Sequence, residues 1–577
     1  MIVLNGDGTA RYLEELPHDL QGPPIGERGH FAITLEYGPD HDRADPFDIE
    51  VGRISQSDPA RAHEGHYLHP VVRHHVPGRP VAAHHITENL ENEWDSPRST
   101  SSRSGRSSPG GPPPCPRERE PGMLIVCLAV LAVLASLPWW LPARVVALRV
   151  RVFERINGDE GIPVPGDLVG VEHFDAVYAH PAAAGRSRGA ALSDLFWYWL
   201  SPGPEMHQEH LEAGAAYDAV ARVTRRLLAV RRAEAEELAR RCAGRALRDV
   251  RGLVRLRDLM MPLWAEFSYE LVFAEPCPRE ARDLITANAS DVSSALKCTS
   301  LRHLSRRRRL TAYLLRNLHR VRVPLPEGLT AREKAYHLHG AFFTTAVVQM
   351  SEAMAHLLLV LARHPGVQER ARSGDDRYLD QVIAETMRLY PLFGIAHRIT
   401  TGDIALDGRT TIPAGSVLCF NYPAYHRAGL ADPDRFDPDR FAGPGAKDLN
   451  HIPFGVAANR PCPARRLAPI VMRAVAREVL DRYVLDSSVS HTRSLPHRGP
   501  CLLTPRDVPH RPGPALAYLR VRDRWEDVWR SLAQLVLGTV MVWDARRLRL
   551  CERHFEGSEA EKPYAHPGSR RSPRHGS

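Results

Sequence analysis

Apolar residues recur at helical spacing along much of the chain. The stretch YDAVARVTRRLLAVRRAEAEELARRCAGRALRDV, residues 217 to 250, sets Val, Leu and Ala between charged turns and predicts surface helix. YHLHGAFFTTAVVQMSEAMAHLLLVLARH, 336 to 364, is apolar almost all round, which predicts a helix in the middle of a large domain. After Pro391 the period shortens. AHRITTGDIALDGRTTIPAGSVLCFNYPAYH alternates β-branched with polar residues and carries DG and PAG turns, so it predicts short strands and hairpins. Residues 160 to 520 therefore read as one mainly α domain with small β-sheets, an α+β fold.

The flanks read differently. Residues 1 to 122 have little periodicity and end in a Ser/Pro/Gly/Arg tract that cannot bury enough surface to order itself, so a disordered leader is expected. Met123 is an alternative start, which would make the leader an artefact of the gene model. The leader's His-rich stretch, HEGHYLHPVVRHH, lacks ligand spacing on a regular element. MLIVCLAVLAVLASLPWWLP, 123 to 142, is free of charge and closes on a Trp pair, as a transmembrane anchor does. Arg144, Arg149, Arg151 and Arg155 follow it, so the positive-inside rule puts the domain in the cytoplasm. A buried helix is the other reading, and the protein would then be cytoplasmic. Beyond 520, WEDVWRSLAQLVLGTVMVWDARRLRL predicts an amphipathic helix, followed by a tail expected to be disordered.

Composition narrows the chemistry. The 577 residues carry a net charge of +8, but the arginines lie in short runs and no nucleic-acid-binding motif accompanies them, which argues against nucleic acid as a partner. The nine cysteines are scattered without a CxxC pair, so neither a disulfide framework nor a Cys-based zinc site is expected.

Three short motifs concentrate the remaining signal. In AETMRLYP, Glu385 and Arg388 lie at i and i+3 on one helix face amid apolar residues, so a buried pair in need of a further partner is expected. DPDRFDPDRF, 432 to 441, offers Arg435 or Arg440 as that partner. HIPFGVAANRPCPARRLA, 451 to 468, holds Cys462 between two prolines in a turn-rich loop opening a helix, where a thiolate is favoured.

In this order and spacing the motifs resemble the cytochrome P-450 superfamily, the haem-thiolate oxygenases: Glu385 and Arg388 its ExxR helix, Pro438 to Phe441 its PERF element, Phe454 to Ala464 its cysteine loop. The resemblance implies a P-450-like fold around buried haem b, with Cys462 as the iron's thiolate ligand. It implies Arg460, Arg398 and, more weakly, His397 as propionate partners. Glu385, Arg388 and Arg440 would be a structural cluster, and Pro463 would stand near the first helical position. In the central helix, GAFFTT matches the oxygen-activating motif, with Thr344 and Thr345 as catalytic residues. Phe343 occupies the family's acid position, so protons would come from water, His339 or substrate. The loop also departs from the pattern, with Phe454 eight residues before the cysteine and Ala458 and Ala464 at the glycine positions. His207, Arg225 and Arg226 stand in for a missing propionate contact.

The function implied is a monooxygenase inserting one oxygen atom from O2 into an apolar organic substrate. No flavin or iron–sulfur motif is present, so electrons would pass from NAD(P)H through a separate ferredoxin or flavoprotein reductase. Arg465, Arg466, Arg473 and Arg477 would offer that donor a basic face. A peroxide-driven oxygenase or isomerase, and a degenerate haem-binding membrane protein without turnover, are the alternatives.

Overall fold

The computed structural model describes residues 126–156, 161–185, 193–200, 211–407, 410–443, 445 and 449–553 with their side chains, and the backbone alone of helix ends and of six short strands before residue 85. Except for those strands, the expected leader lies outside the described residues, as do His207 and the C-terminal tail.

The chain divides into two compact units, Met1–Pro116 and Arg117–Ser577. In the first, strand Ile2–Leu4 pairs with Ala10–Tyr12, and the other four strands form one mixed sheet. The second unit is mainly helical with small sheets, as the hydrophobic pattern predicts.

Its core is built around the central helix. Residues Ala331–Leu338 are α-helical, opened by a capping box between Thr330 and Glu333. His339–Thr345 widens into a π segment, and Ala346–Arg363 resumes the α form. This helix is long and apolar enough to cross a membrane, but it is mostly buried and forms the core with helices Leu256–Phe273 and Arg279–Leu296. A buried charge network joins all three. Arg257 donates to Glu352 Oε1 at 2.6 Å, Ser293 to the same oxygen at 3.1 Å, and Lys297 Nζ lies 3.8 Å from Oε2.

The predicted 217–250 helix is two helices, Ala215–Leu228 and Arg232–Ala246, because the chain turns at Ala229, outside helical geometry. The strands after Pro391 form as expected. Ile395–Ile399 pairs antiparallel with Val417–Asn421, which pairs parallel with Ile162–Val164. A second sheet orders Tyr483–Asp486, Pro500–Pro505 and Gly252–Arg255. The apolar run at 123–142 lies in a longer helix, Pro121–Asn157, and the C-terminal helix is Gly513–Leu548.

Candidate functional site

The site is assembled from the helix Asp376–Leu389 upward. Tyr378, Leu379, Val382 and Ile383 bury its apolar face, and that burial carries Glu385 and Arg388 to complete exclusion from solvent. Two isolated charges there would cost several kcal/mol each, so the pair must be closed by other groups. Arg388 Nε and Nη2 donate to the two oxygens of Glu385 at 2.6 and 2.9 Å. The backbone N–H of Asp437 donates to Glu385 Oε1 at 2.9 Å, and Arg440 Nε stands 3.7 Å from it. The rest of Arg388 reaches Pro433 O at 2.8 Å, while Arg440 donates to Ala431 O and Asp432 O. The structure thus brings Glu385, Arg388 and Arg440 together, while Arg435 offers only its backbone carbonyl to Arg388.

His426 joins this hub to the cysteine loop. Its Nδ1 lies 3.2 Å from Arg388 O, and its Nε2 accepts the N–H of Ile452 at 3.1 Å. The neutral ring with its proton on Nδ1 satisfies both bonds. Burial, reinforced by the charges of Arg388 and Arg427, lowers its pKa from 6.5 to about 4. The unfolded chain therefore takes up a proton below about pH 6.5 that the folded ring refuses until about pH 4. Stability from this group is full above pH 6.5 and is lost as pH falls toward 4, by up to about 3 kcal/mol. Urea midpoints of the native protein should drop between pH 7.5 and 5.0, and the drop should shrink in His426→Gln. An equal drop in both would remove His426 from the account.

Cys462 is half-buried, and its N–H donates to Phe454 O at 2.9 Å, closing the loop on itself. Gly455 takes a φ of 74°, which a side chain would strain, and a Cβ there would stand 2.9 Å from the Tyr178 hydroxyl. The helix expected at Pro463 starts later: residues 463–467 form turns, and the helix is Ala468–Arg482 with Pro469 in its first turn. Pro463 is therefore not a helix-starting residue; the loop's arginine-rich turn intervenes.

Arg398 lies 2% exposed on strand Ile395–Ile399. Its Nη2 donates to the Tyr178 hydroxyl at 3.0 Å, its guanidinium lies 4.4 Å from that ring's centre, and Asn459 O is 3.5 Å away. No carboxylate pairs with it among the described residues, so the charge of this buried cation is met only by neutral oxygens beside the cysteine loop. Arg460 has a φ of 50°, donates to Leu211 O at 2.7 Å and lies over the Tyr217 ring. His397, the strand neighbour of Arg398, points to the opposite face. There its Nε2 lies 2.8 Å from Ser193 Oγ, and the ring stacks on Phe196.

On the central helix, Thr344 is buried in the π segment, a distortion common at functional sites. Phe343 is fully buried and stacks on Phe273. Phe454 and Leu467, either side of Cys462, pack into the same core as Phe342 and Phe343. Thr345 is half-buried. His339, a candidate proton source, lies 2.9 Å from Thr311 Oγ1, and burial together with Arg307 and Arg302 holds its pKa well below 6.5.

Two polar residues of the site escape sequence reasoning. Asn288, fully buried on helix Arg279–Leu296, donates through Nδ2 to Thr344 Oγ1 at 3.0 Å, and its Oδ1 has no protein partner among the described residues. Asn459 reaches the carbonyls of Tyr178, His180 and Ala183 at 2.9 to 3.3 Å, tying the cysteine loop to residues 178–183. Helix Arg279–Leu296 carries polar residues throughout, so nothing in the sequence singles out Asn288, and Asn459 carries no signal either.

The basic face is smaller than expected. Arg473 is 6% exposed and is paired with Glu236 and Asp380, while Arg477 pairs with Asp376 and caps Ala371 O. Both are internal ties and leave Arg465 and Arg466 as the exposed cations beside the loop. Arg225 and Arg226 are exposed on their helix.

A mainly helical domain carrying this Glu–Arg–Arg hub and cysteine loop, in this order, has the ground plan of the haem-thiolate proteins. The cytochrome P-450 family model matches residues 280–507, and that segment is similar to the cytochrome P-450 superfamily. Cytochrome P-450 135B1 of Mycobacterium tuberculosis is 30% identical over 184 residues, 29% of this chain and 39% of that protein. Cyclooctat-9-en-7-ol 5-monooxygenase of Streptomyces melanosporofaciens is 30% identical over 131 residues, 19% of this chain and 28% of that one. The chain thus spans less than half the length of these relatives. Among solved structures, a zebra fish cytochrome P-450 with progesterone covers 58% of this chain and 92% of its own, at 16% identity and a TM-score of 0.49.

Proposed function

We propose that this chain is a haem-thiolate monooxygenase that inserts one oxygen atom from O2 into an apolar organic substrate, attached to a membrane through residues 123–142. The observation that carries the reading is the hub at Glu385, linked by His426 to the Cys462 loop, with the buried Arg398 cation beside that loop. This donor set fits haem b: Cys462 as the iron's ligand, with Arg398 and Arg460 for the propionates; His397, turned to the other face of its strand toward Ser193, stands apart from them. When bound, the haem supplies reductive activation of O2.

The chain's own residues hold the surrounding chemistry. The proximal turn keeps the thiol fixed, because its loop is bonded to itself and to residues 178–183. Thr344 accepts a hydrogen bond from Asn288 and so keeps its own proton to donate, and Thr345 is the second hydroxyl of the motif. Electrons would come from NAD(P)H through a ferredoxin or flavoprotein docking near Arg465 and Arg466.

A second reading rests on Phe343. An apolar residue at the acid position suits a peroxide-driven oxygenase or an isomerase, neither of which needs a carboxylate relay.

The reduced protein under CO tests the ligand directly. The expected result is the red-shifted Soret band of a thiolate-bound haem, and a histidine-type spectrum would sink the proposal. Oxygen consumption dependent on NAD(P)H and added redox partners then separates the readings. Peroxide-driven turnover alone favours the second, and bound haem with neither activity indicates a fold without turnover.

A further inference from the structure

The C-terminal helix, Gly513–Leu548, begins beyond the segment that matches the family, and nothing in the proposed chemistry uses it. One side is firmly docked. Val542 and Ala545 pack with Leu195, Met541 packs with Ala295 and Cys298, and Gln534 donates to Lys297 O at 2.7 Å. The other side faces outward. Between positions 525 and 543 every exposed residue of the helix is large and apolar: Trp525, Trp529, Leu532, Val536, Val540 and Trp543. Steps of three and four residues put them in one stripe about 27 Å long at 1.5 Å per residue. Trp529 is 72% exposed and Val536 60%, far more apolar surface than a helix facing water presents.

The stripe runs beside the apolar helix Pro121–Asn157. Arg524 lies over the Trp139 ring, Arg149 donates to Gln534 at 2.7 Å, and a Cβ on Gly538 would meet Phe153 Cζ at 2.7 Å. These three contacts have the same sequence offset, so the two helices run parallel in fixed register. From Ser136 on, the first helix packs against the body; from Val126 to Ala135 it is exposed on every side. A single protein face cannot cover a helix on all sides, whereas a bilayer can. Pro138 and Pro142 mark the junction, where the helix can change direction at least cost.

We propose that the Trp525–Trp543 face is a second membrane-contact surface, lying along the interface of an anionic phospholipid bilayer next to the point where the N-terminal helix enters it. Tryptophans favour the headgroup level, where the ring is sheltered and its N–H stays wet. Arg520, Arg524, Arg144 and Arg151 around the helix pair are exposed and have no ion pair among the described residues, which suits phosphate headgroups and disfavours a second copy carrying the same charges. The protein would then rest on the membrane along a helix pair as well as hang from one helix. This inference does not depend on the haem reading.

The test uses the full chain reconstituted in vesicles of phosphatidylcholine with about one third phosphatidylglycerol, carrying a benzophenone amino acid at position 532 or 536. Cross-linking to lipid at both positions, and not at the solvent-facing Arg465, is the expected result. A cross-linked band at twice the chain's mass would assign the face to a second copy, and labelling no greater than at position 465 would leave it in water; either outcome overturns the proposal. Independently, L532E combined with V536E should weaken the binding of this face to lipid, read as cross-linking from a benzophenone at position 540 of the reconstituted chain, at least tenfold while thermal stability is unchanged. Unchanged binding would count against the proposal equally.

Discussion

Cys462→Ser is expected to give a folded protein that has lost the red-shifted band of its reduced CO complex. A serine oxygen cannot supply the polarizable thiolate that the proposed haem requires. The loop should survive the exchange, because it is held by other bonds: the residue 462 N–H to Phe454 O, and Asn459 to three carbonyls. The measurement is the CO difference spectrum of native and variant protein at equal haem content, with far-ultraviolet circular dichroism as the control on folding. If the band persists in the serine variant, the ligand is another thiol, and Cys419 on the neighbouring sheet would be examined next.

Glu385→Ala is expected to have the largest effect on stability. The substitution leaves Arg388, wholly excluded from solvent, without its carboxylate, strips Arg440 of its counter-charge and orphans the Asp437 N–H. Breaking a buried pair by removing one partner costs about 3–5 kcal/mol. Against a total of about 5–15 kcal/mol for a domain, that is enough to leave much of the protein unfolded or unable to keep its cofactor. Arg440→Ala should cost less, since this side chain is partly exposed and stands farther from the carboxylate. Thermal melting and haem retention read both variants. Equal melting temperatures for Glu385→Ala and the native protein would show that the hub does not hold the fold.

Sequence alone exposed the parts of this molecule that depend on local spacing. The central helix announced its burial by being apolar all round, and Glu385 and Arg388 announced a buried pair by sitting amid apolar neighbours at i and i+3. Contacts between distant elements stayed hidden. His426 is one histidine among many until the fold puts Arg388 O on one side of its ring and Ile452 N on the other. Arg473 looked like a surface cation because its partners, Glu236 and Asp380, belong to helices far away in sequence. The start of the helix after the cysteine is hidden for a different reason. Two prolines, Pro463 and Pro469, each carry the signature of a first helical turn, and only the turns at 463–467 decide between them.

The bond from Asn459 to the carbonyls of residues 178–183 also has a consequence in time. It closes a loop of some 280 residues, so during synthesis the early segment waits for almost the whole domain before its partner leaves the ribosome. Arg398, Tyr178 and the cysteine turn meet only then. The cradle is therefore a late product of folding, and a growing chain truncated before residue 459 would have the hub's helix and most of the core but no closed seat for a cofactor.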